Sequence, residues 1–120
     1  MNNIRTFSQD ILVKRSNICI ILCTFPDIES THYAIKHLLK NKLAACITQL
    51  TNVTSFYYWN NILTKKKEIQ ILIKSKLILK NKIFLEIKKL HPYDVPELIV
   101  LSTESIEDNY KKWIEKNTSC

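Results

Sequence analysis

Three side chains of this chain carry the chemistry that its sequence makes available. Cys23 lies near the carboxyl end of an apolar run and is followed by Thr24-Phe25-Pro26-Asp27. His91 opens the segment His91-Pro92-Tyr93-Asp94-Val95-Pro96-Glu97, where two prolines stiffen the backbone and fix where His91 and Glu97 point. A cysteine with a histidine can act as nucleophile and base. However, no oxyanion stabiliser, orienting third group or other acid–base constellation is recognisable, so an enzyme is not expected. As thiolate and imidazole, the same pair is a soft ligand set suited to copper. Zinc fits less well, because Cys19, Cys23, Cys46 and Cys120 form no CxxC pair and no compact four-ligand set is visible. His32 and His37 share one helical segment and read as structural or solvated.

Composition removes other functions. The 120 residues contain no glycine. That excludes a P-loop and a dinucleotide fingerprint, which need glycine where backbone approaches phosphate, and it leaves turns to Asn, Asp, Ser and Pro. The net charge of +7 is concentrated between residues 65 and 89, where nine lysines face only Glu68 and Glu86. This reads as a solvated lysine face. Phosphate and base recognition favours arginine, and the only two are Arg5 and Arg15, so nucleic acid is not an expected partner. The longest apolar run, Ile18 to Cys23, is far short of the roughly twenty residues that cross a bilayer. Arg5, Asp10, Lys14 and Arg15 stand where a secretory signal would need an apolar stretch. Cys19 and Cys23 on one strand would sit about 13 Å apart, too far for a disulfide. Cys19 and Cys46 read as reduced core residues. A cytoplasmic protein without a membrane partner is the expectation.

The elements that must position Cys23, His91 and Glu97 follow from periodicity. Residues 1–17 read as a loose tail and 18–120 as one domain. Residues 18–25 read as a buried strand, stopped by Pro26-Asp27, with Asp27 or Ser30 capping a helix from Ile28 to Lys42. Residues 44–50 and 53–59 read as strands with a break or bulge at Thr51-Asn52, and Asn60-Asn61 as a turn. The return strand is predicted over 68–74, with Lys65-Lys66-Lys67 near its start discouraging stray pairing. A helix follows over 77–90, with the stripe Leu79, Ile83, Ile87 and Leu90, ended by His91-Pro92. A strand over 98–101 and a helix over 107–117 complete the chain.

The order βαββαβ followed by a C-terminal helix predicts an α+β, ferredoxin-like fold with helices on one sheet face. The second face is not polar. On the first strand, Ile18, Ile20 and Leu22 oppose Cys19, Ile21, Cys23 and Phe25. On the aromatic strand, Phe56 and Tyr58 oppose Val53, Tyr57 and Trp59. Two helices cannot cover both faces, so self-association is expected. The first and last strands are expected to lie apart in the sheet, which would make any meeting of Cys23 and His91 depend on the assembly.

Six motifs give the chain a family resemblance: Cys23-Thr24-x-Pro26-Asp27, Leu43-Ala44-Ala45-Cys46, Thr54-Ser55-x-Tyr57-x-Trp59, Glu68 with Lys74, His91-Pro92-Tyr93-x-x-Pro96-Glu97, and Tyr110-x-x-Trp113. In order and spacing they resemble the CutA divalent-cation tolerance family over residues 18–116. The resemblance implies a cytoplasmic homotrimer with PII-like trimeric architecture, and for bacterial members copper binding and heavy-metal tolerance. The family's copper-associated cysteine maps onto Cys23. Its His-His-Pro-Tyr segment maps onto Leu90-His91-Pro92-Tyr93, so Leu90 replaces one histidine. The implied metal residues are Cys23 and His91, with Glu97 as a weaker oxygen ligand and a copper ion as cofactor. The alternative is a PII-like binding or signalling scaffold whose ligand is not a metal. An RNA-binding module shares the element order, but its signature needs glycines that this chain lacks.

Overall fold

The structure, a computed structural model, describes residues 15–119; most of the segment read as a tail, and Cys120, lie outside them. Strand β1 (Ile18–Phe25) buries Cys19, Ile21, Cys23 and Phe25 completely on one face. Helix α1 (Ile28–Lys40) starts where Asp27 Oδ1 accepts the Ser30 N–H at 2.7 Å. It ends in a Schellman turn, with Lys42 N–H donating to the Leu39 carbonyl at 3.1 Å and Leu43 N–H to the Leu38 carbonyl at 2.9 Å. Lys42, at φ 56°, holds the left-handed position that glycine usually fills.

Strands β2 (Cys46–Trp59) and β3 (Ile62–Lys76) form a long hairpin. Of the break or bulge read at Thr51-Asn52, the bulge forms, and β2 continues through it. The register shifts between Leu50 and Val53, with Asn52 at φ 59°, and pairing resumes. Lys65-Lys66-Lys67 lies inside β3, not ahead of it. The outer half of this two-stranded arm is solvated, so lysines cost it no core burial. Asn60 and Asn61, at φ 51° and 64°, make the two-residue turn with both centres left-handed.

After a 3₁₀ turn at Leu77–Leu79 come α2 (Lys80–Leu90), β4 (Ile99–Ser102) and α3 (Asp108–Lys116). Glu107 caps α3 by accepting the Tyr110 N–H at 3.0 Å. The sheet order is β2-β3-β1-β4, antiparallel throughout. The α+β, ferredoxin-like reading therefore stands. The separation of first and last strands does not: β4 pairs directly with β1, Cys19 opposite Ser102 and Leu22 opposite Ile99. The ferredoxin-like order places the two strands that follow the helices on the outside, which leaves β1 beside β4.

Ile71 and Ile73 of β3 and the odd-numbered β1 residues pack against Leu38 of α1 and Ile83 and Ile87 of α2. On the opposite face, strand alternation places Ile20, Leu22 and Leu72, half-buried, beside exposed Leu50, Ile99 and Leu101. Helix α3 packs on β3 and buries Ile114. Cys46 is half-buried rather than a core residue, because it lies in the open-face register opposite Lys74, whose ammonium is 3.9 Å from its sulfur. Ser16 and Asn17 are tied in: Ser16 N–H donates to the Thr103 carbonyl at 2.9 Å, and Leu77 N–H to the Asn17 carbonyl at 2.7 Å.

Candidate functional site

His91 closes α2, its N–H donating to the Ile87 carbonyl at 2.8 Å. That anchor turns the ring against the end of β1. Nε2 lies 2.7 Å from the Thr24 carbonyl oxygen, which can only accept, so Nε2 carries the proton. Nδ1 accepts the Tyr93 N–H at 3.0 Å. The ring stacks on Phe25 at 4.4 Å and is 9% exposed. Burial holds its pKa below the ordinary imidazole value, against the upward pull of the Thr24 carbonyl and the Glu68 charge. His91 is thus a neutral, fixed tautomer with both nitrogens engaged.

Cys23 is fully buried, and its sulfur contacts the same Thr24 carbonyl at 3.8 Å. Burial pushes the thiol up to about 12, with the charges of Glu97 and Glu68 adding to the effect. The thiol and the imidazole therefore converge on one oxygen within a single chain. Glu97 does not join them. It is half-buried and accepts from Gln70 Nε2 at 3.5 Å. Among the described residues, no three His, Cys, Asp or Glu side chains are placed to hold one metal ion. A protonated thiol and a doubly bonded imidazole do not fit a resident metal as they stand. Leu90, which stands beside His91 in the chain, packs on the hydrophobic core.

A second constellation was not foreseen as a site. Glu68, on the even-numbered side of β3, is 9% exposed. It accepts the Ser55 hydroxyl at 2.6 Å and the Tyr93 hydroxyl at 2.9 Å. Lys66 places its ammonium 4.1 Å from the centre of the Tyr93 ring. These groups floor an open cleft of about 780 Å³, walled by Tyr57 and Trp59 of the arm and by the loop carrying Asp94 and Glu97. One signal was available in the sequence: Glu68 is the one acidic residue of a lysine-rich strand, and it alternates with Lys66 on the side that pairs with Ser55. The two sites share the 91–97 segment. His91 locks its beginning, and Tyr93 and Glu97 reach the cleft from it.

The family model described as "CutA1 divalent ion tolerance protein" matches residues 19–117. A divalent-cation tolerance protein CutA of Yersinia pestis (strain Pestoides F) is 39% identical over 102 residues, 85% of this chain and 86% of that protein. Among solved structures, CutA from Xylella fastidiosa superposes with a TM-score of 0.84 at 33% identity, covering 87% of this chain and all of that one. The periplasmic divalent cation tolerance protein CutA of Archaeoglobus fulgidus superposes with a TM-score of 0.80 at 25% identity, over 83% of this chain and 97% of that one. No helix among the described residues is long and apolar enough to cross a membrane. The match spans β1 to the end of α3, the same stretch that builds the Cys23–His91 contact and the cleft, and on it the chain belongs to the CutA1 divalent ion tolerance family.

Proposed function

We propose that this chain serves tolerance of divalent heavy metals as a cytoplasmic homotrimer without enzymatic activity. The observation that carries the assembly is the apolar stretch on the sheet face opposite the core: Leu50, Ile99 and Leu101 are exposed there beside half-buried Leu22 and Leu72. Copper is the proposed cation, with Cys23 and His91 as donors that must first lose the thiol proton and the ring's backbone contacts, on the strength of donor softness and the convergence of thiol and imidazole on the Thr24 carbonyl. The folded pair is closed and protonated, so weak copper binding is expected rather than a tightly held centre. Competition titration with a copper chelator tests this on the parent and on Cys23→Ser. Retained affinity in Cys23→Ser sinks the assignment. Light scattering on the same samples should return three times the 14.1 kDa chain mass.

A second reading, a PII-like scaffold whose ligand is not a metal, is favoured by the open cleft over Glu68, which unlike the Cys23–His91 pair is accessible without disturbing the core.

A further inference from the structure

We propose that the cleft over Glu68 binds a small organic cation, a protonated aliphatic amine; this rests on the scaffold reading and names its ligand class. Glu68 is a nearly buried carboxylate whose partners are two neutral hydroxyls. Among the described residues no ammonium or guanidinium lies within ion-pair distance of it, since every ion pair there involves Glu86. Lys66 acts on it only from across Tyr93, without a direct ion pair; a carboxylate removed from water and so incompletely compensated is costly, and an entering ammonium offsets that cost.

The rest of the cleft points the same way. Its lining carries three carboxylates, Glu68, Asp94 and Glu97, against one cation, Lys66. Its lining includes the aromatic rings of Tyr57 and Trp59, and Trp59 is 67% exposed. Aromatic faces beside carboxylates attract ammonium groups and their alkyl stems. The cleft already seats one ammonium, that of Lys66 over the Tyr93 ring. Anionic ligands fit poorly. The lining has no arginine and a single lysine, and the chain has no glycine to bring backbone N–H groups against a phosphate.

The role of Lys66 separates this inference from its opposite. If the ligand is a cation, Lys66 competes with it for Tyr93 and repels it. If the ligand is an anion, Lys66 is its main contact. Calorimetric titration of the full chain with 1,4-diaminobutane, with ADP as the anionic control, should show saturable amine binding that weakens as salt rises. Glu68→Gln and Glu97→Gln should each weaken it about tenfold, the scale of one charge-assisted hydrogen bond. Lys66→Ala should tighten it. Amine binding should quench a fluorescence component that Trp59→Phe removes. Should Glu68→Gln fail to fold, Glu97→Gln, at the cleft rim, decides. Weaker amine binding in Lys66→Ala, or no amine binding by the parent, overturns the inference. ADP binding in place of the amine overturns the cation assignment and leaves the non-metal scaffold standing. Silence toward both, with copper titrating normally, overturns the inference and the scaffold reading together.

Discussion

Replacing His91 by alanine should destabilise the fold by about 3 kcal/mol. The ring donates to Thr24, accepts from Tyr93 and stacks on Phe25. Each hydrogen bond is worth about 1 kcal/mol net, and the stack about as much again. The loss is enlarged because the Thr24 carbonyl and the Tyr93 N–H would be left to a cavity, and moderated if water enters it. The assay is denaturant unfolding at fixed protein concentration, because assembly makes apparent stability depend on concentration. A pH arm identifies the ring as the cause. The folded pKa of His91 lies below its ordinary value of 6.5. Below pH 6.5 the unfolded chain therefore takes up a proton that the folded chain refuses. The stabilisation is complete above pH 6.5 and declines as the pH falls toward the folded pKa. Parent and His91→Ala should converge as the pH is lowered through that window. A loss under about 1 kcal/mol, with parallel pH profiles, would refute the reasoning.

Lys42→Gly should raise stability by about 0.5–1 kcal/mol in thermal unfolding, since it relieves a left-handed lysine at the Schellman turn; a loss would mean that the lysine side chain matters more than its backbone. Leu101→Glu should lower the assembly mass in light scattering while circular dichroism keeps the sheet, and an unchanged mass would move the interface off the open face. Cys23, with its thiol pushed up to about 12 and no exposed surface, should resist alkylation at pH 8 until denaturant is added, whereas half-buried Cys46 should label in the native protein. Peptide mass mapping reads both, and equal rates would contradict the burial.

Much of the fold was legible because local signals agreed with one another. The 18–25 alternation, the Asp27 cap, the Asn60-Asn61 turn and the end of α2 at His91 each depend on residues near in sequence. Three features depend on distant partners and were not legible. The β1–β4 pairing joins Cys19 to Ser102, and nothing local specifies it. The choice between a break and a bulge at Thr51-Asn52 depends on β3 being long enough to pair on both sides of Asn52. The lysines within β3 hid its first half, since a solvated arm needs no apolar pattern. Cys23 and His91 were visible as donors, but their protonation was not. That of His91 follows from Thr24, Tyr93 and Phe25 closing around its ring, and that of Cys23 from burial. The cleft went unread because Glu68, Lys66 and Tyr93 acquire meaning only when the arm and the 91–97 segment face each other.

The connectivity of the sheet also orders events in time. The β2–β3 ribbon joins neighbours in sequence across a two-residue turn, so it can zip within microseconds of collapse. The four-residue β4 must return across most of the chain to find β1, and closing so long a loop is slow. His91 meets Thr24 only when the end of α2 has docked on β1, and the segment after it is secured only when β4 has paired. Contacts made after the rate-limiting step hold the native state without hastening its formation. The same His91 lesion should therefore leave the refolding limb of a chevron nearly unmoved and steepen escape from the native state, making the 91–97 segment a brake on unfolding rather than a seed for folding.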